Sequence, residues 1–230
     1  MRAYLATCAV IALAACSPRS SEPAKSAPAA ATAPAAPAKT TAPGGAYSLD
    51  PGHTSVIFRV NHLGMSHYTA RFTDVAGKLQ FDPAKPDGSS VTVEIDPASI
   101  QTNYPDPKLD FDKELRGSNF LDAAKFPKMS FTSTKVEMTG PDTAKITGDL
   151  NLRGVTQPVV LETRFNGGAP AGAADPMNAR IGFSAHGTLK RSAFGMGYGV
   201  PAPGSTLGVG DDVEVVIETE FLQPGPKAPG

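Results

Sequence analysis

The chain has 230 residues, 21 basic and 22 acidic side chains, and a formal net charge of −1 at pH 7. This balance and the lack of a basic stripe argue against nucleic acid as a partner, because phosphate binding needs clustered Lys and Arg. Both cysteines, Cys8 and Cys16, lie in the first 16 residues, which excludes a disulfide framework from the rest of the chain.

The N-terminus predicts export. Arg2 precedes a short apolar stretch that ends in LAAC (13–16), the pattern of a secretory signal too short to span a bilayer. The tetrad resembles the lipobox of bacterial lipoproteins, whose cysteine is acylated. We therefore expect a signal peptide at 1–15, lipid attachment at Cys16, and a periplasmic location in a Gram-negative cell envelope. Ser17 favours anchoring at the outer membrane. The alternative is a secreted protein with a free thiol at Cys16.

The remaining ends of the chain are predicted to be disordered. Residues 16–45 combine the lipidated cysteine with a Pro/Ala-rich tether that has no aromatic residue and cannot bury enough apolar surface to fold. Residues 224–230 form a similar tail. The predicted folded domain is therefore residues 46–223, a typical size for one all-β domain.

Alternation of apolar and polar residues recurs along this domain and predicts β-strands. A clear example is the stretch at 213–221, where one face carries Val213, Val215, Ile217 and Phe221 and the other carries Glu214, Glu218 and Glu220. Eight strands are expected, near 53–61, 67–82, 90–97, 128–138, 144–152, 156–166, 180–190 and 212–222. Long strands with short turns favour an all-β fold, an eight-stranded antiparallel up-and-down barrel, because closure removes exposed strand edges.

A helical crossover is expected over 106–117. Asp106 is the predicted N-cap, Pro107 suits the first helical position and Gly117 ends the helix. Phe111 and Leu115 share one apolar face at i,i+4 spacing. The segment is either a lid or plug at one end of the barrel or a crossover that fills space.

Small residues on the apolar faces indicate space inside the barrel. They are Gly148, Ala185, Gly187 and Thr219. An eight-stranded barrel is wide enough either to be filled by its own side chains or to hold one small ligand, and these positions favour the second arrangement.

Six stretches spread over residues 47–222 resemble the YceI-like family. They are YSLDPGHTSVIFRVNHLG (47–64), RFTDVAGKLQFD (71–82), SIQTN with DKEL (99–103, 112–115), FLDAAKFPKMSF (120–131), GDLNLRGVTQPVVLE (148–162) and LKRSAFGMG (189–197). The resemblance implies a lipocalin-like barrel of the bacterial envelope that encloses an apolar tunnel, binds polyisoprenoids and related lipids, and has no recognised catalytic centre.

The inward-facing positions and this resemblance together predict a set of ligand-binding residues. They are Phe58, Val60, His62, His67, Val93, Ile95, Phe131, Leu150, Leu152, Leu161, Ile181, Phe183, Phe194, Val215 and Ile217. No cofactor or metal is expected, apart from a bound isoprenoid or other lipid as ligand. The expected partners are this long-chain lipid and, through the anchor, a membrane; the sequence identifies no protein partner.

Three of the four histidines lie close together in the sequence. His62 has the inward parity of its strand, and a turn at 63–66 is expected to place His67 roughly opposite it. The pair is interpreted as polar contacts for a ligand head group, as hydrogen-bonded structural residues, or as part of a zinc site, which needs three or four ligands. His53 is expected to be structural and His186 to be exposed.

The glycine-rich segment FGMGYG (194–199) lacks the sequence pattern of a phosphate-binding loop. We expect a flexible connection over 191–210 that forms a mobile rim, with Phe194, Met196 and Tyr198 near the entrance. Arg191 is expected either to meet an anionic head group or to form a surface salt bridge.

The favoured function is a carrier or reservoir for a long apolar isoprenoid, such as a polyprenyl lipid or quinone. No nucleophile-elbow motif G-x-S-x-G is present, and the chain is not expected to be an enzyme. The alternatives are a broad scavenger of lipophilic compounds such as antibiotics, a metalloprotein that uses histidines, and a structural protein with a filled barrel.

Overall fold

The computed structural model describes residues 40–225. The predicted signal peptide, the lipid attachment site, most of the predicted tether and residues 226–230 lie outside the described residues. The strands and the α-helix are, in chain order, β1 (Gly45–Leu49), β2 (Ser55–His62), β3 (Ser66–Phe72), β4 (Val75–Phe81), β5 (Ser90–Ile95), β6 (Ile100–Gln101), α1 (Phe111–Arg116), β7 (Met129–Met138), β8 (Thr143–Leu152), β9 (Val155–Ala169), β10 (Asn178–Lys190) and β11 (Val209–Pro224).

All strands belong to one antiparallel sheet that closes on itself. The ring runs β1-β4-β5-β7-β8-β9-β10-β11, and it closes because β1 pairs with β11 as well as with β4. Strands β2, β3 and β6 continue the sheet from β11. The prediction of an all-β, eight-stranded antiparallel barrel with a short helical crossover is confirmed.

Three of the eight barrel strands are each broken into two segments. β1 and β2 both pair with β11, β3 and β4 form the next strand, and β5 and β6 form the third. The first break follows Asp50, whose Oδ1 accepts a hydrogen bond from the Gly52 N–H (3.0 Å) and caps a 3₁₀ turn at Pro51–His53. The strand expected at 53–61 therefore begins at Ser55, and its upstream half, β1, was not predicted.

The folded part extends beyond both predicted boundaries. Upstream, Thr40 donates to the Gly168 carbonyl (3.2 Å), Ala42 is buried, and the Tyr47 hydroxyl donates to the Pro43 carbonyl (2.7 Å). Thr40, Ala42 and Pro43 were expected in a disordered tether. Downstream, Pro224 is the last residue of β11 instead of the first residue of a tail.

Two tight hairpins follow from consecutive residues in the left-handed region. Leu63 and Gly64 have φ values of 56° and 71°, and Arg153 and Gly154 have values of 54° and 73°. Two successive positive φ values are those of a type I′ turn, whose twist matches that of the flanking strands. The first of these turns lies within the turn predicted at 63–66.

The α-helix is shorter than predicted. It begins after Asp110, whose Oδ1 accepts a hydrogen bond from the Lys113 N–H (2.9 Å), and it ends at Gly117. Asp106 does not cap it, because its carboxylate accepts from the Lys108 N–H (3.0 Å) in a separate turn. The prediction of an N-cap at Asp106 was wrong.

Candidate functional site

The barrel encloses an apolar cavity of about 670 Å³. This volume is within the usual range for small-molecule sites. Apolar side chains from all eleven strands form most of its wall, and Phe111, Leu115 and Phe120 add a wall from α1 and the segment after it. The helical crossover is therefore part of the cavity wall. A barrel filled by its own side chains is excluded.

Aromatic side chains close one end of the cavity. Phe165 packs against Phe81 and Phe183, with ring centroids 5.8 and 5.4 Å apart, and Phe183 packs edge-on against Phe221 at 6.1 Å. A smaller cavity of about 90 Å³ lies beyond these rings, towards the turns that contain Pro83 and Pro141. We call the end of the barrel at which these aromatic rings and turns lie the closed end.

The opposite end of the cavity opens to solvent. Tyr104 and Leu109 line the cavity and are also exposed, which places them at its mouth. His62 and Tyr68 line the wall nearby, and the Tyr68 hydroxyl donates to the Thr102 carbonyl at 3.4 Å. Burial raises the pKa of Tyr68 above its usual value, so the phenol is a neutral hydrogen-bonding group at the mouth.

Small side chains contribute to the cavity less than predicted. Ala185 and Thr219 line it. A Cβ at Gly148, however, would overlap the Phe131 ring, and one at Gly187 would come within 2.9 Å of Leu161 Cδ2. These two glycines therefore accommodate neighbouring side chains and do not leave space for a ligand.

Most of the predicted ligand-binding side chains line the cavity. They are Phe58, Val60, His62, Val93, Ile95, Phe131, Leu150, Leu152, Leu161, Phe183, Val215 and Ile217. Their contact with a ligand stays a prediction.

Three predicted ligand-binding residues do not line the cavity. His67 is on the outer face of the hairpin. Ile181 is fully buried in the packing of the closed end, with Tyr47 and Phe221. Phe194 ends a 3₁₀ turn and is buried among Leu115, Leu121 and other side chains under the helix. These three positions are corrections to the predicted site.

The sequence interpretation missed the wall that the crossover supplies. Phe111, Leu115, Phe120, Leu121 and Tyr104 line the cavity. The i,i+4 spacing of Phe111 and Leu115 was a signal for an apolar helix face, but nothing in the spacing indicated that this face turns into the barrel.

The histidines do not converge on a metal site. Asn61 pairs with His67 and His62 pairs with Ser66, so the two rings lie on opposite faces of the hairpin. His186 is exposed, as predicted, and its Nε2 lies 3.6 Å from Glu162. The expectation that His67 lies across from His62 was wrong.

His53 belongs to a charged cluster around Arg180 on the outer surface. Its Nδ1 is 2.8 Å from Asp50 Oδ2, and Arg180 forms ion pairs with Asp50, Asp175 and Glu220. Asp50, His53 and Glu220 are close enough to hold a metal ion, but both of their carboxylates already form ion pairs with the Arg180 guanidinium. Among residues 40–225, this cluster is the one group with metal-ligand spacing.

Arg191 is a buried structural residue. Its guanidinium donates to the carbonyls of Gly210, Met196, Tyr198 and Val209 at 2.8–2.9 Å, and only 4% of the residue is exposed. Burial lowers the pKa of Arg191. The interpretation as a surface salt bridge was wrong. The residue also lines the cavity, so its contact with an anionic head group stays a prediction. The side chain fastens the connection between β10 and β11.

Residues 47–221 match the family model described as the YceI-like domain. A UPF0312 protein of Pseudomonas savastanoi pv. phaseolicola is 41% identical over 155 residues, which cover 67% of this chain and 74% of that protein. The chain belongs to the YceI-like family.

Solved structures agree with this assignment. The YceI protein of Campylobacter jejuni is 32% identical, with a TM-score of 0.60 over 70% of this chain and 88% of that chain. A polyisoprenoid binding domain from Saccharophagus degradans is 14% identical, with a TM-score of 0.56 over 77% of this chain and 98% of that chain. At this identity the second likeness shows a shared YceI-like fold.

In residues 40–225 of this YceI-like protein, no helix combines the length and apolar character needed to cross a membrane.

Proposed function

We propose that the protein binds a long apolar isoprenoid-type lipid, a polyprenyl chain or a quinone, inside the barrel and carries or stores it. The main support for this proposal is the cavity of about 670 Å³ with its hydrocarbon wall. Each methylene that leaves water for such a wall contributes about 0.8 kcal/mol. A long chain is therefore held by its length and shape, with few polar contacts.

The ligand class is supported by the related fold of the Saccharophagus degradans polyisoprenoid binding domain. The polar groups on the cavity wall suit a lipid with a small head group. His62, Tyr68 and Tyr104 lie at the mouth, whereas the deeper wall offers mainly hydroxyls such as Thr163 and Thr219. The head group would remain at the mouth with the chain extending towards the closed end.

The side chains that line the cavity favour a binding function over a catalytic one. Within the described range, no Asp, Glu, Lys or Cys side chain lines the cavity, and His62 is its one histidine. A general base or nucleophile usually requires a second group that activates or orients it. The Arg191 guanidinium is already bonded to backbone carbonyls.

The proposed location is the periplasm, with the protein anchored at the outer membrane through lipid on Cys16. Support comes from the sequence at 13–16 and from the Pro/Ala-rich segment that follows. Such a segment would hold the barrel near a membrane without fixing its orientation.

A cavity-filling substitution tests the proposed function. Ala185 lines the cavity wall, and Ser184, its neighbour on β10, points outwards and donates to Glu218. We expect Ala185→Phe to reduce binding of a fluorescent prenyl lipid at least tenfold, because the ring would occupy space that the chain needs. Ser184→Phe adds the same ring outside the barrel and should bind normally.

Equal binding by a folded Ala185→Phe protein would contradict a ligand inside the barrel. Competition by a lipophilic antibiotic as strong as that by unlabelled prenyl lipid would favour a broad scavenger.

A further inference from the structure

Exposed large apolar side chains cluster at the mouth of the cavity. The described residues include eight such side chains, and six of them come from three connecting segments at the open end. We call these six the apolar rim: Leu63, Met65, Tyr104, Leu109, Tyr198 and Leu207. Met65 and Leu207 are the most exposed, at 84% and 79%.

Contacts between the segments hold the rim together. The Leu63 N–H donates to the Gly208 carbonyl at 2.9 Å, which joins the β2–β3 turn to the connection between β10 and β11. Tyr198 packs edge-on against Phe120 on the cavity wall, with ring centroids 5.6 Å apart. Arg191 fixes the Tyr198 carbonyl at 2.8 Å. These contacts hold two of the three rim segments, the β2–β3 turn and the connection between β10 and β11, in place at the mouth.

The rim lies on a part of the chain that is almost free of charge. Residues 60–70 and 192–210 contain no Asp, Glu, Lys or Arg, and the segment 103–109 has one acid and one base. The connections at the closed end, 82–89, 139–142 and 170–177, together carry four acids and one base. Desolvation of the three rim segments therefore costs little, whereas desolvation of the closed-end connections would require removing charges from water. The remainder of the crossover at the open end, 110–128, carries four acids and four bases, so the contact is confined to the rim segments.

We propose that the apolar rim docks the open end of the barrel on the surface of a lipid bilayer. Exposed leucine and methionine side chains on loop tips can enter the boundary between head groups and acyl chains, and tyrosine is favoured at that level. The uncharged rim matches an electrically neutral, zwitterionic surface. In this orientation the cavity mouth faces the acyl chains.

Docking in this way gives a lipid a path between bilayer and barrel that avoids water. The inference rests on the proposed function for the identity of this cargo, but the docking itself needs no cargo. The rim and the cavity can therefore be tested separately.

Single tryptophans can report the contact, because the chain contains no tryptophan. The full chain would be made as Met65→Trp, Leu207→Trp and, as the matched control, Met177→Trp, which replaces a side chain of 76% exposure in the connection between β9 and β10. All three proteins share the same N-terminal segment, so any vesicle binding through that segment is common to them.

Phosphatidylcholine vesicles with brominated acyl chains provide the readout. We expect a blue shift of roughly 10 nm and at least twofold quenching for tryptophan at 65 and at 207, with neither for tryptophan at 177. Adding Leu207→Asp to the Met65→Trp protein should abolish the blue shift, whereas adding Met177→Asp should leave it intact. Equal responses at all three sites, or no response at 65 and 207, would overturn the proposal.

A second copy of the chain could also cover the rim. A blue shift at position 65 that grows with protein concentration without vesicles, and is unchanged by adding them, would assign the rim to self-association and overturn membrane docking. Because the vesicles contain no isoprenoid, a protein that binds prenyl lipid yet fails this test refutes the docking alone.

Discussion

Arg191 is the buried side chain that fastens the connection between β10 and β11. Next to a glycine-rich segment, an arginine is compatible with a ligand contact or a surface ion pair. In the structure its guanidinium donates four hydrogen bonds to a ring of backbone carbonyls, and the residue is buried. The burial of Arg191 depends on backbone carbonyls that lie 5 to 19 residues away in the sequence. No local sequence pattern indicates that these carbonyls surround the side chain.

Replacing Arg191 with lysine is expected to lower the free energy of unfolding by about 3 kcal/mol, because an ammonium group cannot reproduce the planar set of donors and leaves buried carbonyls unpaired. Urea unfolding measures the change. Arg59→Lys is the matched control, since Arg59 forms an exposed ion pair with Glu214 at 3.0 Å. It should change stability by less than about 0.5 kcal/mol. Equal effects of the two substitutions would contradict the fastening role of Arg191.

Asp175 gives the surface cluster a pH dependence. The Met177 backbone N–H, then the Asn178 side chain and, more weakly, Arg180 lower the pKa of Asp175 from 3.8 to about 2. The fold favours the ionised carboxylate, so its contribution to stability is complete above 3.8 and is lost as the pH falls towards about 2.

Asp175→Asn should therefore lower the urea midpoint at neutral pH, and the gap from the unmodified protein should narrow at a pH below both pKa values. Asp87→Asn is the control, because Asp87 is exposed in a 3₁₀ turn and forms no ion pair with the described residues. A gap that is the same at both pH values would rule out this ionisation as the cause.

At the scale of the element, the strands were more predictable than the helix. Alternation located the barrel strands because one face of each meets the cavity and the other meets water. Alternation alone did not show the break after Asp50, where Pro51 and the aspartate side chain replace strand pairing with a turn. For α1, both Asp106 and Asp110 are good capping residues, and packing of Phe111 and Leu115 on the cavity determines which one caps the helix.

The capping residue of α1 can be tested directly. Asp110→Ala should cost about 1 kcal/mol of unfolding free energy, the usual value for losing an N-cap side chain. Because Phe111 and Leu115 line the cavity, the same change should also weaken prenyl-lipid binding. Asp106→Ala is the control and should have a smaller effect on both. Urea unfolding and lipid titration measure the two effects. A larger loss of stability and binding for Asp106→Ala than for Asp110→Ala would place the cap at Asp106.

At the scale of the whole molecule, the resemblance of six short stretches was enough to predict the closed barrel and the family. The cavity itself was less predictable. The shape of its wall depends on pairs such as Gly148 and Phe131. The glycine has no side chain, and the space this leaves is filled by the Phe131 ring and is not open to a ligand. Its mouth depends on three segments far apart in sequence, among them the Gly-rich connection that Arg191 fastens. Local sequence patterns do not encode such long-range contacts.

The most direct test of whether the barrel holds a long apolar lipid is native mass spectrometry of the protein recovered in mild detergent from a bacterial cell envelope, followed by solvent extraction. We expect a single adduct whose extracted mass is that of a polyprenyl lipid or quinone and which is lost in Ala185→Phe but retained in Ser184→Phe. A protein that stays at its ligand-free mass after incubation with prenyl lipids, or an adduct that survives Ala185→Phe, would contradict it.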